Sequence, residues 1–434
     1  MPENDPRREF ATEVVCRLQE AGYVSFWAGG CVRDLLMGRR PGDYDIATNA
    51  RPPEVRRVFG HRRTLAVGES FGVIIVLGPT RADQIEVATF RTEGPYLDGR
   101  RPEHVSFCSP EEDAQRRDFT INGMFFDPLN REVFDYVGGQ EDLSRGVVRA
   151  IGRPQDRMAE DKLRMLRAVR FAATLDFELD ETTARAIEEM ADQISVVSPE
   201  RIAQELKKML TNRHRRRAVR MLQQHGLLQV VFPELQTETD AGHVTSWSHT
   251  LDVLDQLDEP GFELAAAALL HTVPSPEGEN RKRLGDGGTV RSICRRLRLS
   301  NKELEHIAWL VANQNRFEGI REASPAELKM LLANPLAEDL IRLAEADARA
   351  GQQASDDLEF VRDYLARTPR EEIDPPRLLT GRELREMGLK PGPEFKRLLE
   401  AVRVAQLNGE ISSRDEALQR VRMLRGDGDA RRTS

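Results

Sequence analysis

The chain has 434 residues, of which 31% are charged, with a formal net charge of -8 and a mean hydropathy of -0.52. That length allows several domains with a sizeable core. No run of about 18 apolar residues occurs, which excludes a spanning helix, and the acidic average does not by itself announce a nucleic-acid binder, since binding depends on local patches.

Four scattered cysteines, Cys16, Cys31, Cys108 and Cys294, form no CxxC pair. This argues against a disulfide frame and a thiolate zinc site, and fits a reducing compartment. The start, Met1-Pro2-Glu3-Asn4-Asp5, lacks a basic-then-apolar signal pattern, so a cytoplasmic protein is expected.

From about residue 22 the pattern reads strand, turn, short helix, strand. Apolar Val24, Phe26 and Trp27 lead into Ala28-Gly29-Gly30-Cys31-Val32-Arg33-Asp34, then Gly42-Asp43-Tyr44-Asp45-Ile46-Ala47. In an extended segment, residues two apart share a face. Asp43 and Asp45 are therefore expected to project two carboxylates into one volume, with Tyr44 turned away. Two adjacent anions call for a cation, and hard carboxylate oxygens suit Mg²⁺, which keeps water and phosphate in its remaining positions. Gly29-Gly30 lets backbone amides approach a phosphate, and Arg33 adds a fixed positive charge. A lone DxD or a lone GG is usually a plain loop or turn; the joint spacing points to chemistry on a nucleoside triphosphate.

Further on, Val73-Ile74-Ile75-Val76-Leu77 reads as a buried strand, and Gln84–Phe90 alternates at period two like a half-buried one. Glu86 on that strand is either a third site carboxylate or an outward strand acid. Gly94 to Pro110 is polar and Gly/Pro-bearing, as expected of a mobile loop. Gln115-Arg116-Arg117-Asp118-Phe119-Thr120-Ile121-Asn122-Gly123 follows.

From Asp156 the pattern turns helical, with Leu163, Leu166, Val169 and Phe171 on one face. Asp161, Arg164, Arg167 and Arg170 stand three apart and are expected to form one gently drifting ridge. Ser198-Pro199-Glu200 supplies a cap, a proline and an acid to open a helix through Leu210. The remainder reads as helical, with breaks near Pro233, Pro260, Pro274-Pro276, Gly285-Gly288 and Pro375-Pro376.

The glycine-turn DxD motif, the Arg116-Arg117-Asp118 motif and the Glu160-to-Phe171 stretch, in this order, resemble the class II tRNA nucleotidyltransferase and bacterial poly(A) polymerase family. The resemblance covers about residues 25 to 177, with weaker echoes at 198–210 and 378–407. It implies an α+β fold: a polymerase-β-like nucleotidyltransferase head with a mixed sheet and helices, followed by an all-α neck, body and tail. The expected domains are a catalytic head (1–150), a neck with the base-selecting ridge (151–225), a body resembling a degenerate HD domain (226–370) and a tail that contacts tRNA (371–434).

By the same resemblance, Asp43 and Asp45 bind two Mg²⁺, with Glu86 as a further catalytic carboxylate. Gly30, Arg33 and Arg117 hold triphosphate or sugar, and Arg167 and Arg170 complete the nucleotide pocket. Asp161 and Arg164 read the pairing edge of the base. Cytosine and adenine both present an amino group beside an acceptor nitrogen, so a carboxylate and an arginine can select them without a nucleic-acid template. Asp118 is expected to orient Arg117 or the motif loop rather than bind metal. The implied reaction is addition of CCA to tRNA from CTP and ATP, the alternatives being A-only or CC-only addition, or polyadenylation. Val67-Gly68-Glu69-Ser70-Phe71-Gly72 lacks the basic pair that poly(A) polymerases carry there, and the loop before Arg116 looks full length. The first feature speaks against polyadenylation and the second against CC-only addition, leaving complete CCA and A-only addition.

Ser248-His249-Thr250 and Leu269-Leu270-His271-Thr272-Val273 resemble an HD phosphohydrolase with Thr272 in place of its aspartate and Asn313-Gln314 in place of a later histidine. Two histidines without that carboxylate make a poor metal site, so this region reads as scaffold. Two basic runs, Asn212–Arg220 and Arg281–Arg298, are expected to track RNA phosphates.

Overall fold

The computed structural model describes residues 5–68, 71–80, 83–93, 105–235, 245–273, 288–352 and 355–430. Its chain divides into two compact units, residues 1–237 with 295–299, and residues 238–294 with 300–434. The regions read as head and neck thus share the first unit. No helix among the described residues is long and apolar enough to cross a membrane.

The first unit is built on a seven-stranded mixed sheet. Its strands are β1 (Ser25–Ala28), β2 (Asp45–Thr48), β3 (Thr64–Gly68), β4 (Val73–Leu77), β5 (Gln84–Thr89), then β8 (Phe125–Asp127) and β9 (Glu132–Phe134). A separate pair, β6 (Arg91–Glu93) and β7 (Val105–Phe107), lies between β5 and β8 in sequence. The sheet order is β3-β4-β5-β2-β1-β8-β9, with β2 and β5 parallel and the other pairs antiparallel.

Alternation sorts the two faces. Ile74 and Val76 of β4, and Ile85 and Val87 of β5, are buried with Trp27 and Ile46 under helix α1 (Pro6–Glu20). Helix α1 offers Phe10, Val14 and Leu18 at a spacing of four, one apolar stripe against the sheet. Burying each such side chain contributes roughly 1.5–3 kcal/mol. The opposite face carries Val73, Ile75 and Glu86, and β4 is only half-buried there. The continuous apolar run therefore overstated the burial of β4: its second face borders a cleft, not a core.

Helices α2 (Gly30–Leu36), α3 (Pro52–Phe59), α4 (Pro110–Gln115) and α5 (Gly139–Arg145) belong to the sheet region. The expected loop 94–110 is partly structured. Residues 94–104 lie outside the described residues, but β7 pairs with β6, and the Ser109 hydroxyl caps α4 by accepting from the Glu112 amide. Then α6 (Pro154–Glu160), α7 (Leu163–Leu175), α8 (Glu181–Met190), α9 (Pro199–Leu210), α10 (Arg215–Gln224) and α11 (Leu227–Val231) follow. Helix α9 spans the predicted range, although the Ser198 side chain makes no capping hydrogen bond.

The described part of the second unit is helical. It includes α12 (Thr245–Gln256), α13 (Phe262–Leu270), α14 (from Gly288), α15 (Asn301–Asn313), α16 (Pro325–Leu332), α17 (Ala337–Ala350) and α18 (Asp356–Arg367). Residues 379–421 form their own apolar cluster around Leu384, Leu398, Val402 and Val421. The fold class read from the motifs, a mixed-sheet head followed by helices, is the one found.

Candidate active site: an acidic sheet edge facing an arginine-lined helix

A cleft of about 620 Å³ in the first unit is lined by Gly29, Gly30, Arg33, Asp43, Asp45, Glu86, Arg117, Asp161, Arg164 and Arg167, among others. Residues spread over more than a hundred positions of sequence thus meet in one cavity. The sheet supplies the acids. Tyr44 is buried edge-on against Trp27 at a centroid distance of 4.8 Å, which turns Asp43 and Asp45 to the other side. Parallel pairing aligns Ile46 with Val87. One step back along that ladder, Asp45 stands beside Glu86.

Burial, the negative charge of Asp43 and that of Glu86 together push the Asp45 carboxyl up to about 6, against a smaller opposing pull from Arg117. The raised Asp45 carboxyl marks a site where negative charge gathers without enough positive charge to balance it. Oxygen-only donors at a cleft wall suit a hard divalent cation. The donor set therefore fits the metal ions the resemblance implies.

The turn before α2 is tightly constrained. Gly29 has φ +73°, and a Cβ there would lie 3.1 Å from Arg117 Nη1. A side chain at 29 would thus be strained and would crowd that guanidinium. Arg33 is buried; its Nη1 donates to Asn122 Oδ1 at 2.8 Å and its Nη2 to Asp34 Oδ1 at 2.7 Å.

Two acids that sequence reading did not single out or assigned otherwise organise the arginines. Asp113, 1% exposed, accepts from Arg116 on Oδ1 and from Arg117 on Oδ2. Asp118 holds Arg167 through Nε at 2.8 Å and Nη2 at 2.5 Å, and takes the Phe119 amide and Asn122 Nδ2. Asp118 thus fixes its loop, as expected, but Arg117 is oriented by Asp113, because Asp113 lies one helical turn before it. Despite burial, Arg167 and these donors hold the Asp118 carboxyl down to about 2. The sequence signal for Asp113 was its i, i+3 and i+4 spacing to Arg116 and Arg117.

The ridge is broken at its first member. Asp161 lies between α6 and α7 with extended backbone, φ -141° and ψ 104°, so only Arg164, Arg167 and Arg170 share a helix. Asp161 Oδ1 accepts the Leu163 amide at 3.1 Å, and Oδ2 accepts Arg201 Nη2 at 2.6 Å. Arg164 is 7% exposed; its Nη1 reaches Glu160 and the Arg157 carbonyl, and its Nη2 the Arg116 carbonyl at 3.3 Å. Arg170 does not line the cleft. It pairs with buried Glu205 and covers the Phe171 ring, 3.9 Å from the centroid.

The basic runs are partly consumed within the fold. In Asn212–Arg220, Arg215 donates to the Leu210 carbonyl and Arg217 pairs with Asp176 and Glu178, while Arg213 and Arg220 are exposed. Residues 281–287 of the other run lie outside the described residues, as do Glu69 and Ser70 of the segment 67–72; Arg291, Arg296 and Arg298 make ion pairs.

The HD-like region differs from expectation in one respect. Asp347 on α17 supplies a carboxylate absent at Thr272. His249 Nε2 lies 2.7 Å and His271 Nε2 3.6 Å from its Oδ1, and the three potential ligand atoms fall within 4.8 Å of one another. The chain folds back to bring in an acid that local spacing could not reveal.

Comparison with known proteins is consistent with this geometry. Residues 25–149 match the poly A polymerase head domain, and residues 176–238 match the "probable RNA and SrmB- binding site of polymerase A". The CCA-adding enzyme of Limosilactobacillus reuteri is 32% identical over 420 residues, covering 93% of this chain and 94% of that one. The Bacillus subtilis CCA-adding enzyme is 46% identical over 220 residues, a match that spans 50% of this chain and 54% of that enzyme. A crystal structure of the Bacillus stearothermophilus CCA-adding enzyme in complex with CTP superposes with a TM-score of 0.74 at 27% identity, covering 98% of this chain and all of that one.

Proposed function

The chain belongs to the family of CCA-adding tRNA nucleotidyltransferases, and on that premise we propose that it adds C and A, from CTP and ATP, to the 3′ end of tRNA without a nucleic-acid template. The observation that carries this reading is one cleft holding both the acids Asp43, Asp45 and Glu86 and the pair Asp161 and Arg164. Relatives named CCA-adding enzyme that match along nearly the whole chain support it further.

Members of this family use a divalent metal. We assign Asp43 and Asp45 to two Mg²⁺, with Glu86 beside them. When bound, such ions activate the primer 3′-hydroxyl and neutralise the leaving pyrophosphate. The protein's own part is positioning and electrostatics. Gly29 and Gly30 leave room for a triphosphate, and Arg33 and Arg117 supply fixed donors, each already aimed by Asn122 or Asp113. Asp161 keeps lone pairs free on oxygens already anchored to Arg201 and Leu163, so it can still accept a base amino group. A base with a carbonyl in that place leaves buried polar groups unpaired, and such sites discriminate strongly.

The 151–225 segment acts as the neck of this site and 371–434 as a tRNA-contacting tail. Four free thiols fit a reducing compartment, the cytoplasm. Incubation of CCA-less tRNA with the four nucleotides and Mg²⁺ tests the reading: incorporation confined to C and then A is expected. Long A tails from ATP alone would instead indicate polyadenylation.

A further inference from the structure

The carboxylate Asp43 lies outside the sheet ladder, since β2 begins only at Asp45. What holds it comes from the far side of the loop. Arg7 Nη1 donates to the Gly42 carbonyl at 2.6 Å. Arg40 donates to Asp5 through Nε at 3.2 Å and Nη2 at 3.0 Å, and the Tyr44 hydroxyl reaches Asp5 Oδ2 at 3.4 Å. Residues 40, 42 and 44 thus bind the segment Asp5–Arg7, while Asp43 and Asp45 face the cleft. Arg7, Phe10, Asp43 and Tyr44 also wall a small pocket of about 190 Å³ on this side.

Asp5 is 7% exposed, and its carboxylate serves two tasks at once. It caps α1 by accepting the Arg7 amide, and it gathers Arg40 and Tyr44. Capping needs one oxygen and no charge; holding a guanidinium and a phenol besides needs the second oxygen. Arg7 is exposed and contributes nothing to the apolar stripe of α1, so its contact with Gly42 is not a by-product of packing.

We infer that Asp5 and Arg7 are positioning residues for the metal-binding carboxylates: they clamp alternate residues of the loop so that Asp43 is presented beside Asp45. This rests on the assignment of Asp43 and Asp45 to metal. Loss of a group that orients a metal ligand typically costs about 10- to 100-fold in metal affinity.

The test is binding of Mn²⁺ alone to the full chain, without nucleotide or tRNA, followed by electron paramagnetic resonance. Asp5→Asn retains the cap oxygen, and Arg7→Met leaves the buried face of α1 unchanged. Each is expected to raise the half-saturating Mn²⁺ concentration about tenfold, with an unchanged melting temperature and unchanged tRNA affinity. Arg7→Lys, whose ammonium can still donate to Gly42, is expected to recover most of the loss. Wild-type Mn²⁺ binding in both variants overturns the inference, even where activity falls. Should Asp5→Asn fail to fold, Tyr44→Phe reads the same contact. Asp43→Ala is the control for the underlying assignment: undiminished Mn²⁺ binding there removes the metal reading and the inference with it.

Discussion

Arg201 Nη2 donates to Asp161 Oδ2 across 2.6 Å, tying the residue proposed to read the base amino group to helix α9. Asp161 sits at the break between two helices, where this ion pair joins the Leu163 amide in fixing its direction. A side chain free to turn would accept hydrogen bonds from many bases.

Asp161→Ala is therefore expected to relax nucleotide choice more than it slows transfer. Arg201→Gln, which keeps Asp161 but loosens it, should do the same more mildly. Ratios of kcat/KM for CTP over UTP and ATP over GTP check both, with a fall on the order of tenfold or more expected for Asp161→Ala. Unchanged ratios would remove Asp161 from base selection.

Asp113→Asn leaves two arginines competing for one carbonyl oxygen. Arg116 and Arg117 then lose their fixed directions, and KM for nucleotide is expected to rise about tenfold, for loss of about 1.4 kcal/mol of binding. Because Asp113 is nearly fully buried, stability should also fall, by roughly 3 kcal/mol as for other broken buried pairs. Nucleotide titration and denaturant unfolding separate the two effects.

Asp118 gives a pH signature. Its carboxyl is held down to about 2 in the folded chain against 3.8 unfolded. The unfolded state binds the proton first as pH falls, so the stability contributed by Asp118 is fully present above about pH 4 and lost progressively toward pH 2. Asp118→Asn should lack this component and show a flatter acid limb in unfolding experiments. An acid limb identical to that of the wild type would contradict the assigned partners.

The acidic trio predicts a response to metal removal. Without cations Asp43, Asp45 and Glu86 repel, as the raised Asp45 carboxyl records. Divalent ions should raise the melting temperature, and Asp43→Asn should raise it without metal while abolishing the ion response. In activity assays, Asp43→Ala is expected to remove turnover while leaving tRNA binding nearly intact, which filter binding can check.

Much of this site was legible in the sequence, for a physical reason. The alternation expected of an extended segment puts Asp43 and Asp45 on one side of Tyr44, and a spacing of three places Arg164, Arg167 and Arg170 on one helix. What was not legible depends on where the chain breaks or returns. Asp161 looked continuous with the arginines until the backbone turned extended between Glu160 and Leu163. Arg170 shares the helical spacing, yet Glu205 draws it away from the cleft. Asp347 meets His249 and His271 only through packing of α17 against the helices that carry them. The apolar run at β4 gave the strand but not its open second face.

The most direct test of the central claim is the sequence of tRNA 3′ ends after reaction. Purified protein, Mg²⁺, CTP and ATP are mixed with tRNA lacking its terminal CCA, and the products are sequenced. Ends completed to CCA and no further are expected, with CC accumulating when ATP is withheld. Unchanged ends, a lone A added only to tRNA already ending in CC, or long A tails from ATP alone would each contradict complete CCA addition.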